Sequence, residues 1–138
     1  MPFTISFVKE LANKQHDLDT DTLKVALYPS TVSFGPTTTV YSATNEVTGA
    51  GYTAGGEELD NVTVGDDGVD EVYFSADTVT WSAATFTFRH YLIYNSSNGN
   101  KAVAYASYPV DQTVTSGTYN LTFPATTGGA FVVLKIES

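Results

Sequence analysis

The run Thr85-Phe-Thr-Phe-Arg-His-Tyr-Leu-Ile-Tyr94 is the strongest constraint on how this chain folds. A helix would scatter its rings around the axis. A strand instead places Phe86, Phe88, His90, Leu92 and Tyr94 on one face and Thr85, Thr87, Arg89, Tyr91 and Ile93 on the other. Both faces carry apolar side chains, so the run is expected to be a central strand.

Around it, from Leu23 onward, short β-branched and aromatic runs are divided by clusters of Gly, Pro, Asn, Asp and Ser, the pattern of strands and turns. The expected strands are Leu23–Tyr28, Val40–Tyr41, Leu59–Val64, Glu71–Ser75, Thr85–Tyr94, Lys101–Ser107, Gln112–Thr115, Thr118–Phe123 and Ala130–Ile136. Asn95-Ser-Ser-Asn-Gly-Asn100 is rich in residues that tolerate left-handed backbone angles, and Ser116-Gly117 carries a second hairpin signal. Pro124 and Thr126–Gly129 are expected to turn the chain into a last strand apolar enough to be buried on both faces. Ser30–Thr39, with Pro29 and Pro36, reads as an exposed loop whose prolines block ladder hydrogen bonds. The expected fold is all-β: an antiparallel two-sheet β-sandwich, jelly-roll or Ig-like.

Residues 1–22 form an arm on that domain. Phe7, Val8, Leu11 and Ala12 recur at helical spacing with Lys9, Glu10, Asn13 and Lys14 between them, so a short helix or an edge strand would each fit. The whole chain, 1–138, reads as one domain. Its 42% hydrophobic content supports a single core, and chains of about 100–150 residues commonly have one. With no cysteine, core packing or assembly must hold the fold. Fifteen acidic residues against six basic ones give a formal charge of -9, which opposes nucleic acid and anionic lipid. The Met1-Pro-Phe-Thr start lacks a basic then apolar leader, and no later stretch has the length of a membrane span; neither secretion nor membrane insertion is expected. The sequons at Asn61, Asn95 and Asn120 read as chance in a chain rich in Thr and Ser.

Candidate chemistry is sparse. Asp66, Asp67, Asp70 and Glu71 are the densest acidic group a glycosidase could draw on, yet they sit in a Gly65–Gly68 turn. Asp17, Asp19 and Asp21 could offer oxygens to Ca²⁺ but lack the EF-hand glycine and closing glutamate. His16 and His90 are far apart in sequence, and no nucleophile-elbow motif accompanies them. The glycines from Gly49 to Gly56 lack the Lys-Ser/Thr ending of a phosphate loop and read as a chain reversal. Trp81, near Val79 and Phe86, reads as a core anchor. No catalytic, cofactor or metal residue is assigned, and no enzyme activity is expected.

Thr44-Asn-Glu-Val-Thr-Gly-Ala-Gly-Tyr-Thr-Ala-Gly-Gly56 is the most specific stretch of the chain. With Lys24–Tyr28, Val72–Trp81, Thr85–Arg89 and Leu92–Asn95, it resembles a family of small virion-associated proteins of tailed bacteriophages. The likeness covers nearly all of the chain beyond the first fifteen or so residues. The chain departs from it at Ser107-Tyr-Pro-Val-Asp111, where family members often show an aromatic-Gly-Gly step. The resemblance implies a virion component, assembled in the host cytoplasm, and carries over no catalytic residue. A capsid decoration (cement) protein is the expected role, homo-oligomeric and partnered by the major capsid protein or other virion proteins, with neither nucleic acid nor membrane as a partner. Thr37, Thr38, Thr39 and Tyr41 are the expected contact residues. The alternatives are a tail or head-fibre module that stacks host glycans on some of the nine tyrosines, and a head-to-tail joining protein.

Overall fold

The computed structural model describes residues 2–66, 68–123 and 132–135. Thr4 opens a short helix, α1 (Ile5–Ala12), by accepting the Phe7 N–H on its hydroxyl at 3.1 Å, which satisfies one of the donors a helix start leaves free. Of the two readings of the arm the helix is realised, and no edge strand forms there among the described residues. Phe3 forms an antiparallel bridge to Ala104, and the helix follows it. Phe7 is fully buried as its spacing suggests, whereas Val8, which shares that pattern, is 44% exposed.

The strands are β1 (Leu23–Tyr28), β2 (Glu57–Glu58), β3 (Thr63–Asp66), β4 (Glu71–Ser75), β5 (Val79–Asn95), β6 (Lys101–Leu121) and β7 (Val132–Lys135). They make two antiparallel sheets, ordered β2-β1-β5-β6 and β3-β4-β7, so the fold is all-β as its patterning indicates. Phe74 of the second sheet belongs to the same core as Leu23, Val25, Trp81, Phe86 and Phe88 of the first. Among the described residues no helix is long and apolar enough to cross a membrane.

Several expected boundaries move. Val40–Tyr41 is reduced to a single bridge from Val40 to Lys101. Of Leu59–Val64 only Thr63 and Val64 lie in a strand, β3, which pairs with β4, while the pairing with β1 falls just before it at Glu57–Glu58. The turn expected at Pro124 and Thr126–Gly129, the strand ends Ala130, Phe131 and Ile136, and the burial of the β7 side chains lie outside the described residues.

The largest correction concerns β6. The pieces read as Lys101–Ser107, Gln112–Thr115 and Thr118–Phe123 are not separate strands: Lys101 through Leu121 is one strand paired along β5. Ser116-Gly117 does not reverse the chain. It is an irregularity opposite Ala84, with Ser116 at φ 45° and its N–H held by the Thr85 hydroxyl at 2.9 Å. Tyr108–Asp111 is a second interruption, where the register jumps from His90↔Ser107 to Phe88↔Gln112. Turn-forming residues also suit bulges, and a long partner strand with matching irregularities keeps the ladder going.

A bulge also shifts the alternation of side chains, and this revises the faces read for Thr85–Tyr94. Phe86 and Phe88 lie in the main core, but so do Tyr91 and Ile93. Leu92 and Tyr94 turn to the other face, where they join Ala26, Tyr28 and Ala102 under Val32, Phe34 and Tyr41. The exchange falls at the irregularity between Phe88 and His90, where Arg89 alone stands opposite the four residues Tyr108–Asp111 of β6 and the regular alternation is broken. The strand is central and covered on both faces at Tyr91–Tyr94, as expected.

Another irregularity in β5 holds Ala83 at φ 48°, a region that costs a residue with a Cβ about 1–2 kcal/mol. Ala83→Gly is expected to raise stability by about 0.5–1 kcal/mol once the entropy of glycine is set against that relief. Thermal unfolding reads the change; a lowered midpoint would mean that the exposed methyl contributes packing.

Candidate functional site

The Thr44–Gly56 stretch has a clear architectural role. β1 ends at Tyr28, opposite His90, so the β5 edge beyond that point has no neighbouring strand. The stretch covers it: Val47 N–H bonds Leu27 O at 3.0 Å, and Thr85 N–H bonds Ala50 O at 2.9 Å. The loop then returns to β1 through Gly56, at φ 74°, where a Cβ would stand 1.8 Å from Val25 O. Only glycine permits that approach.

Glu46 is the centre of this loop, at 9% exposure. Its Oε1 accepts from the Tyr52 hydroxyl and from Gly55 N–H at 2.9 Å, and its Oε2 accepts from the Tyr41 hydroxyl at 2.7 Å. The Tyr52 oxygen accepts in turn from Leu27 N–H at 2.9 Å. Tyr94 and Tyr28 pin the loop from the sheet, donating to Gly55 O and Ser42 O at 2.7 Å each. Tyr41 stacks on Tyr94 with centroids 4.4 Å apart. Burial first, and then the Glu46 carboxylate, push Tyr94 up to about 12 and raise Tyr28, Tyr41 and Tyr52 further. The phenols therefore remain donors at neutral pH, and a carboxylate satisfied by two of them and an amide holds structure together. Sequence reading did not single out Glu46; the one signal was an acidic residue inside an otherwise uncharged, glycine-rich motif.

The expected contact residues divide. Thr37 and Thr39 are exposed, Thr38 is half-buried, and Tyr41 turns inward to Glu46. The loop carrying them is held against α1, since Ile5 N–H bonds Pro36 O at 2.8 Å and the Ser6 hydroxyl bonds Thr38 O at 3.4 Å. It also joins the start of β6 through Ala102 N–H to Thr39 O at 3.0 Å. Exposed apolar side chains flank these threonines: Ile5, whose N–H bonds Pro36 O, is 63% exposed, Val40 is 50% exposed, and Val8 lies on the face of α1 that Ile5 occupies.

The other candidates resolve into structure. Asp17 accepts from Asp19 N–H at 3.2 Å, and Asp21 from Asp17 N–H at 2.9 Å and the Asn95 amide at 2.6 Å, so these acids shape their own turn. Among the described residues no three His, Cys, Asp or Glu gather as a metal site. Asp66 accepts from Gly68 N–H at 2.8 Å in the β3–β4 turn, while Asp67 lies outside the described residues. Buried His16 joins Glu10 at 2.9 Å to the Asn95 amide at 3.0 Å, and His90 meets Ser107 at 2.7 Å. Trp81 is 1% exposed and lies in the core as read. All nine tyrosines are buried or half-buried, so none of their rings stands fully exposed. No protein-family model, no curated protein and no solved structure matches the chain.

Proposed function

We propose that this chain is a non-enzymatic structural component of a tailed bacteriophage particle: a capsid decoration protein that binds the major capsid protein on the outside of the head, as a symmetric oligomer. The observation that carries the proposal is the exposed apolar surface of Ile5, Val8 and Val40 around Thr37 and Thr39. It lies on a helix and loop fastened to a rigid sheet, and apolar side chains clustered within a polar rim suit a protein contact. The resemblance of Thr44–Gly56 to virion-associated proteins agrees with a structural role, because Glu46 and its tyrosines hold the loop together. A charge of -9 suits a position away from packaged DNA. Repeated copies on a lattice multiply weak contacts. A glycan-stacking fibre module is less well supported, since its rings would need to be exposed.

Particles lacking the protein are expected to assemble but to release DNA at a lower temperature, and added wild-type protein to restore resistance. Ile5→Glu combined with Val40→Glu should fold yet fail to restore it. Electron cryo-microscopy of purified particles gives the position: copies in icosahedral register on the head support decoration, and copies confined to the tail or its vertex replace it with the joining or fibre role. Equal heat release with and without the protein would also sink the proposal.

A further inference from the structure

A groove of about 660 Å³ is bordered by Leu11, Leu18, Val64, Val72 and Phe74, with Lys14, His16, Asp17 and Asp19 also lining it. Its wall comes from the second sheet. Val64 pairs with Phe74 across β3 and β4, and Val72 stands two residues from Phe74, so the three share one face. Phe74 and Leu18 are buried, whereas Val64 is 51% exposed. The volume falls in the range of sites that hold a ligand of several side chains, about 300–1,000 Å³.

A second, independent feature lies beside it. β3 is the outer strand of its sheet, paired with β4 alone among the described residues. An outer strand offers unpaired N–H and C=O groups that an extended segment can join, with alternate side chains entering an adjacent groove. The charge of the surroundings selects what can enter. Among the described residues Asp17 and Asp19 line the groove together with His16 and one lysine, Lys14, on a protein of net charge -9, so an acidic segment is repelled and a basic one favoured.

We infer that the β3 edge and this groove take up an extended segment of a partner protein whose apolar side chains alternate with lysine or arginine. The segment adds as a strand beside Thr63–Asp66, places its apolar side chains against Val64, Val72 and Leu18, and sets its cations near Asp17 and Asp19. This goes beyond the capsid reading and stands or falls separately from it, since it concerns a peptide and no particle.

The test uses the whole protein, isotopically labelled, titrated by NMR with three short synthetic peptides: alternating Lys and Val, alternating Lys and Ser, and alternating Glu and Val. The Lys/Val peptide should shift the amides of Thr63–Asp66 and Leu11–Asp19 in a saturable way. The other two should bind at least about tenfold more weakly, a difference of about 1.4 kcal/mol. Val64→Lys, at a half-exposed position that leaves the core intact, should weaken the Lys/Val peptide by a similar factor while the rest of the spectrum is unchanged. Equal binding of Lys/Ser would show charge attraction without a groove and overturn the inference. Shifts located elsewhere, insensitivity to Val64→Lys, or the lack of any saturable shift would overturn it too.

Discussion

Glu46→Ala is expected to lower the unfolding free energy by about 3–4 kcal/mol, a large part of the 5–15 kcal/mol typical of a domain. The carboxylate satisfies the Tyr41 and Tyr52 hydroxyls and the Gly55 N–H. Truncation leaves these buried donors facing a void, with a cost of about 1–3 kcal/mol for each that finds no water. Tyr41 is partly open to solvent and contributes least. The loop covering β5 should loosen, because Tyr52 also accepts the Leu27 N–H and its ring lies 6.4 Å from Trp81. Glu46→Gln keeps one acceptor oxygen and should lose about half as much. Urea unfolding followed by the fluorescence of Trp81, the one tryptophan in the chain, provides the measurement. A loss below about 1 kcal/mol for the alanine variant would mean that the three donors find other partners at little cost.

Above pH 10 the protein is expected to lose stability steeply. Tyr28, Tyr91 and Tyr94 are buried side chains whose ionisation is raised in the fold, Tyr94 to about 12 and the others higher, with burial as the first cause of each. In the unfolded chain each ionises near its ordinary value of about 10. Folding thus favours the protonated phenol. The contribution is fully present below pH 10 and is lost as pH rises from there toward the folded values, since the unfolded state then binds fewer protons. Each such tyrosine steepens the loss by about 1.4 kcal/mol per pH unit, and the three together by about 4. Tyr41, Tyr52 and Tyr119, raised in the same direction, add to it. Unfolding at room temperature is therefore expected by about pH 12. Tyrosinate absorbance and Trp81 fluorescence should change in one cooperative step. A gradual, independent titration of the phenols with the tryptophan signal unchanged would show that these rings ionise within the fold.

Both expectations arise from residues that look alike in the sequence but differ in their surroundings. Nine tyrosines offer a pool of rings for stacking or packing, and nothing local distinguishes Tyr52, hydrogen-bonded to Glu46, from Tyr108, which packs edge-on against Phe88. The same holds for turn chemistry. Asn95–Asn100 and Ser116-Gly117 carry similar residues, yet the first reverses the chain and the second is a bulge in a continuing strand. A left-handed residue serves either purpose, and the partner strand decides which.

What the sequence by itself determined is local: extended backbone from the two-residue period, the hairpin at Asn95–Asn100, a buried Trp81, and glycines at a chain reversal, while the arm was left open between a helix and an edge strand. These depend on dihedral preference and on the side chains of near neighbours. Only the tertiary structure decided the exchange of faces along β5, the saturation of Glu46 by Tyr41, Tyr52 and Gly55, and the groove between α1 and the second sheet. Each requires groups distant along the chain to meet at hydrogen-bond or packing distance, and the irregularity opposite Tyr108–Asp111 changes which side chains do so.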